Sequence, residues 1–239
     1  MKPVHFAFLL SLIAAVLLLA AGPGTRLELW EFRTGFVLMR WAAFAGIAAA
    51  ALAIVMLLLP RARRAGPAWL LATLVLGLGV AFVPWNGMRQ ARAVPPIHDI
   101  STDTARPPEF VAVLPLRADA PNPAEYGGAE VAQAQLEAYP DLRTLRIDLA
   151  PAETFARAQQ AARDMGWEIV AADAAAGRIE ATDTTLWFGF KDDIVIRVEA
   201  DGDGSRVDVR SVSRVGKSDV GTNAKRIRAY LQALESGKG

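Results

Sequence analysis

The chain has 239 residues, a formal net charge of +1 and no cysteine, which excludes disulfides and thiol nucleophiles. That near-zero charge hides a partition: residues 1–95 carry nine Lys/Arg against two Glu (+7), and residues 96–239 carry seventeen Lys/Arg against twenty-three Asp/Glu (−6). A basic first part suits anionic lipid headgroups, and an acidic second part argues against nucleic acid as a partner.

Three apolar segments fill the first 85 residues. Residues 4–21 hold only His5 and Ser11 as polar side chains, residues 41–59 carry no charge, and residues 67–85 are bracketed by Pro67 and Trp85. A bilayer core of ~30 Å takes roughly 20 apolar residues in a helix, so three membrane spans are expected. Trp30, Trp41, Trp69 and Trp85 stand near the segment ends, where indole rings favour headgroup depth. Lys2, the first apolar run and Ala20-Ala21-Gly22 also fit a signal peptide. The length of that run and the two spans that follow favour a retained first span. The densest basic cluster is Arg61, Arg63 and Arg64. Placing it and Lys2 in the cytoplasm leaves the second part of the chain outside. A plain count runs slightly the other way, because Arg26, Arg33, Arg40, Arg89 and Arg92 then lie outside; cluster density decides the expectation. Abundant Ala and an excess of Arg over Lys point to a bacterial chain, so the expected location is the inner (cytoplasmic) membrane with a periplasmic domain.

Residues 86–138 read as a Pro-rich linker, since Pro95, Pro96, Pro107, Pro108, Pro115, Pro121 and Pro123 oppose helices and central strands. The apolar stretch 110–116 is expected to dock on the following domain as an edge strand ended by Pro115. His98, in Ile97-His98-Asp99-Ile100, is read as a turn or docking residue.

Residues 139–239 are expected to form an α+β domain. A short strand lies within 142–149. A helix opens at Pro151-Ala152-Glu153 and ends at Gly166. Strands follow at 167–172, 178–184, 193–200 and 205–215, with Asp201-Gly202-Asp203-Gly204 as a hairpin turn. A helix from about Thr222 to Leu234 closes the domain. The order is β-α-β-β-β-β-α, an antiparallel sheet in a helix-grip-like arrangement.

Period two assigns the strand faces. Ile194, Ile196, Val198, Val207 and Val209 share one face with Ile179 and Ala181. Asp193, Arg197, Asp208, Arg210 and Arg214 share the other with Arg178, Glu180 and Thr182. Ser211 and Ser213 fall in the apolar register, so a bulge or a solvated strand end is expected there. The charged face is either a solvated surface with cross-strand ion pairs or a recognition surface. The candidate binding residues are Asp192, Asp193, Arg197, Asp208, Arg210, Ser213, Arg214, Lys217, Asp219, Asn223 and Arg226.

The strings FGFKDDIVIRV and VDVRSVSRVGKSDVGTNAKRIR, with GWEIVAAD, GRIEAT and IHDISTD upstream, resemble the uncharacterised family domain of unknown function 1499 over about residues 97–235. The resemblance implies an envelope-associated domain, often behind membrane spans, and no activity, ligand or catalytic residue.

Catalytic constellations are absent from the pattern. Gly216-Lys217-Ser218 lacks the earlier glycine of a phosphate loop. Asp192 and Asp193, adjacent in a strand, point to opposite faces. No metal-ligand spacing is present, and no cofactor is expected. The leading expectation is a non-enzymatic domain binding an envelope protein or a membrane lipid headgroup. A carrier of an apolar ligand held between sheet and helices, and an envelope hydrolase using Asp192, Asp193, Asp219 and His98, are the alternatives.

Overall fold

The computed structural model describes residues 3–237, so Lys2, used in the orientation count, lies outside them. The chain divides into two compact units, Met1–Gln90 with Leu186–Gly189, and Ala91–Thr185 with Phe190–Gly239.

The first unit is helical: α1 (Pro3–Arg26), α2 (Phe32–Leu58), the short α3 (Pro60–Ala65) and α4 (Pro67–Arg92). At 24, 27 and 26 residues, α1, α2 and α4 are long and apolar enough to cross a membrane. Each outlasts the apolar run that announced it; α4 continues past Pro84 to Arg92, where Met88, Arg89, Gln90 and Arg92 are good helix formers. Small residues set the packing. A Cβ on Gly46 would meet the Gly77 carbonyl at 2.7 Å, and one on Gly77 would meet the Gly46 carbonyl at 2.5 Å. Backbones approach this closely only at glycine. The segment Leu186–Gly189 also belongs here: Trp187 lies over Gly22, and Phe188 lies beside Gly35 and stacks obliquely on Phe36 at 5.2 Å.

The second unit is α+β. Its elements are β1 (Asp99–Ser101), a 3-10 turn (Leu114–Arg117), α5 (Gly128–Ala138), β2 (Leu145–Ile147), α6 (Pro151–Asp164), β3 (Glu168–Asp173), β4 (Arg178–Thr184), β5 (Lys191–Asp201), β6 (Gly204–Ser213) and α7 (Thr222–Ser236). The sheet is antiparallel in the order β1-β6-β5-β4-β3, with β2 on the same edge of β6 as β1. The expected run from β2 to α7 is present. The stretch 86–138 holds more order than a linker: β1 pairs Asp99 with Val212 and Ser101 with Arg210, more than a hundred residues away, and α5 is tied to β1 by Gln135. The stretch 110–116 does dock, but as a loop entering the 3-10 turn, because the β1 and β2 segments already occupy the edge of β6.

Helices α6 and α7 cover one sheet face. Ile179, Ala181, Ile194, Ile196, Val207 and Val209 meet Phe155, Ala158, Ala162, Ile227 and Leu234, all buried. Trp167 stacks on Tyr230 at 5.1 Å. Each large apolar side chain buried here contributes about 1.5–3 kcal/mol.

Candidate functional site

The charged face of the sheet is not solvated. Residues 102–127 run across it, and Phe110 and Val113 pack on Val195 and Val212. The arginines and acids of that face hold this covering segment down. Arg210 makes a bidentate pair with Asp99 (2.9 and 2.8 Å), donates to the Pro108 and Ala124 carbonyls, and lies over the rings of Phe110 and Tyr126. Arg214 grips both Asp193 oxygens (2.9 and 2.8 Å) and donates to the Leu116 carbonyl at 2.7 Å. Arg117 reaches the same Asp193 at 3.0 Å and donates to the carbonyls of Asn122 and Pro123. Thr182 donates its hydroxyl to Asp193 at 2.8 Å. The buried Glu180 carboxylate accepts the backbone N–H groups of Val111, Ala112 and Val113 and the Arg178 Nε–H. Further along, Asp208 accepts from Thr102, Arg197 and Arg206, and Asp103 accepts from the same two arginines. Such pairs are geometry-setting: desolvation offsets much of their attraction, whereas losing one partner strands a buried charge.

The second polar cluster lies at one end of the helix-covered face. Register is continuous through Asp192↔Ser213 and Ile194↔Ser211, so there is no bulge, and both serines are buried rather than solvated. Asn223 and Arg226 of α7 fill the space opposite them. Asn223 bonds Ser211 and Ser213; Arg226 bonds Ser211 and Asn223 and pairs with Asp192 (2.6 Å) and Asp183 (2.8 Å). Asp219 accepts the N–H groups of Gly221 and Asn223, capping α7. His98 joins through its carbonyl, which accepts from Asn223 and from the Ser213 N–H.

The expected binding residues therefore separate. Asp193, Arg197, Asp208, Arg210 and Arg214 fasten the covering segment; Asp192, Ser213, Asp219, Asn223 and Arg226 fasten α7; Lys217 is exposed on the loop between them. Asp192 and Asp193 diverge to opposite faces. Asp99, Arg117 and Asn122 take part in the first network, and nothing local in the sequence marks their partners. Among the described residues no group of three His, Cys, Asp or Glu is arranged to hold a metal ion.

Titration follows this packing. Burial alone would raise the Asp208 carboxyl, but hydrogen bonds from Thr144, Arg197 and Arg206 outweigh it and hold it below the ordinary aspartate range. Burial raises Asp219, and the nearby Asp192 adds to this against the backbone bonds of Gly221 and Asn223. Burial also pushes the Tyr126 hydroxyl up to about 12, so it stays protonated at neutral pH.

The outer side of the covering segment mixes exposed charges, Arg106, Glu109 and Asp119 among them, with exposed apolar side chains. Val111, Leu114 and Leu116 project outward from the covering segment at 51, 43 and 56% exposure. Beside them a cavity of about 290 Å³ is lined by Arg106, Pro108, Glu109, Val111, Arg178 and Val195.

Fold and site together define a multi-pass membrane protein with an α+β domain whose charged groups mostly serve its own construction. Residues 99–234 match a family described as Protein of unknown function (DUF1499), and the chain belongs to that family. A search of the curated proteins gives no match.

Proposed function

We propose that this protein resides in a bacterial inner membrane and uses its sheet unit, on the periplasmic side, to recognise an envelope component, a protein or a lipid headgroup, without catalysing a reaction. The observation that carries this reading is the clamped covering segment. Arginines and acids that would serve chemistry or ligand capture are engaged with each other and with backbone carbonyls, while Val111, Leu114 and Leu116 are held facing outward. Exposed apolar side chains fixed on a rigid support suit a contact surface. An odd number of spans, here three candidates, would put the N-terminus and the sheet unit on opposite sides, and the Arg61, Arg63 and Arg64 loop supports a cytoplasmic N-terminal side.

The hydrolase alternative needs Asp192, Asp193, Asp219 and His98 to converge, and the divergence of the two adjacent carboxylates weighs against it. An apolar carrier needs room between sheet and helices, where Phe155, Ile194, Ile227 and Tyr230 pack instead.

Photo-crosslinking residues placed at 111, 114 and 116 of the full chain in living membranes should give discrete adducts. Adducts from 175 and 203, on the far turns, with none from the covering segment would discard this surface. A phosphatase fused after Leu234 should be active; activity only from a cytoplasmic reporter would invert the sidedness.

A further inference from the structure

We infer that the end of the sheet bearing Lys191 is a docking surface for an anionic phospholipid interface. This rests on the recognition reading above and names its partner class.

The first observation is connectivity. Lys191 pairs with Thr184 at one end of the β4–β5 ladder, and the chain leaves the sheet there for Leu186–Gly189, which belong to the helical unit. The other crossing reaches the same end. Ser218 and Asp219, just beyond β6, bond the carbonyls of Pro95 and Ile97. Only four residues lie between Arg92, the last of α4, and Ile97, five Cα steps that reach at most about 18 Å when extended. Both connections between the two units therefore run from this end of the sheet.

The second observation is charge. The sequence has five lysines, and three of them, Lys191, Lys217 and Lys225, are exposed at this end. Lys191 is exposed, and its carbonyl accepts from the Arg214 N–H. Lys217 follows Gly216, whose carbonyl accepts from Asn122, and Lys225 lies in the first turn of α7 beside Asn223. Arg214 and Arg226, the arginines of this end, are spent on internal pairs, so these ammonium groups carry exposed positive charge there. Asp119, on the adjoining turn, offsets part of their charge. The opposite end of the sheet carries Asp173, Glu199, Asp201 and Asp203. There Asp173, Glu199 and Asp201 pair with Arg178, Arg106 and Arg146, so that end presents mixed charge, whereas the Lys191 end exposes the three lysines.

The third observation is apolar exposure at the same end. Leu116 is fixed by its carbonyl to Arg214, whose own N–H bonds the Lys191 carbonyl at 3.0 Å, and Leu114 stands two residues away. Lysines beside exposed leucines match an interface that is anionic at its surface and apolar a few ångströms below.

The chain lacks cysteine, so single-cysteine variants report without background. Full-length Leu114→Cys and Leu116→Cys, labelled with a polarity-sensitive fluorophore, would be placed in nanodiscs of phosphatidylcholine with or without phosphatidylglycerol. Ala175→Cys and Asp203→Cys serve as references on the far turns. The expected result is a blue shift and loss of iodide quenching at 114 and 116 in the anionic discs, reversed by salt and absent at 175 and 203. Changing Lys191, Lys217 and Lys225 together to Gln should lower the docked-to-free ratio on the order of 100-fold, the equivalent of about one headgroup attraction per lysine. Iodide quenching at 114 and 116 equal to that at 175 and 203 in every lipid mixture overturns the proposal. If those labels are protected only in native membranes, lipid docking fails while recognition of an envelope protein stands. If they are quenched there as well, both fail.

Discussion

Asp193 shows what the buried charges are for. Its carboxylate has no exposed surface and is shared by Arg117, Arg214 and Thr182, which reach it from the covering segment, from just beyond β6 and from β4. Removing it leaves two guanidiniums facing each other without a counter-charge. Asp193→Ala should lower unfolding free energy by about 3–5 kcal/mol, the usual cost of stranding buried partners. Asp193→Asn, which keeps an acceptor oxygen, should cost less. Denaturant titration of the protein in detergent measures both. Arg106 and Glu199 give the contrast, because that pair is largely solvated and Arg106→Ala should change stability by no more than ~1 kcal/mol. A result in which the two alanine variants cost the same would mean that the Asp193 cluster does not hold the segment. Period two placed Asp193, Arg210 and Arg214 on one face from sequence alone. It was silent on Arg117 and Asp99, because their partners lie 76 and 111 residues away and no local pattern records such a meeting.

At the scale of elements, legibility followed the range of the interactions. The β3–β4 and β5–β6 hairpins, α6 and α7 were readable because alternation, Gly177, Gly202 and the Pro151 start are local signals. Strand β1 and helix α5 were missed among prolines, since each is held by distant β6 or by β1 itself. The start of α7 supplies a pH test. Asp219 caps it with bonds to the Gly221 and Asn223 N–H groups (2.8 and 2.7 Å), yet burial raises its folded proton affinity. A carboxyl that binds its proton more tightly when folded adds stability below its unfolded value, near ~3.9. That contribution is lost as pH rises through the raised folded value. Asp219→Asn keeps the acceptor and removes the titration, so its stability relative to wild type should climb with pH across that window. Asp208, held low, has the opposite sign and should make both proteins lose stability on acidification. Asp219→Ala, equally without the titration but lacking the cap, should lie about 1 kcal/mol below Asp219→Asn at every pH in between. Melts at stepped pH check the set; parallel wild-type and Asn curves would refute the assigned titration.

For the whole molecule, the division into two units does not follow the order of the chain. The sheet unit has its own core from Ile97 to Leu234 and both faces of its sheet are covered, which are requirements for independent folding. Four residues at the β4–β5 connection are the exception. Trp187 and Phe188 find their packing on Gly22, Gly35 and Phe36 of the helical unit, and Leu186 is 87% exposed even in the intact chain. An excised piece spanning residues 91–239 should therefore fold cooperatively and still associate, because Leu186, Trp187 and Phe188 become a bare apolar tip. Replacing those three with Ser, Asn and Ser should yield a monomer with the same melting transition, since none of them contributes to the sheet core. Light scattering reports the association and denaturant melts report the fold. A polar-tipped fragment that stays monomeric but unfolded would show that the sheet unit depends on the helices for more than tethering. An associating fragment unaffected by the tip would shift attention to Val111, Leu114, Leu116 and Leu136, further apolar side chains that the intact protein leaves exposed.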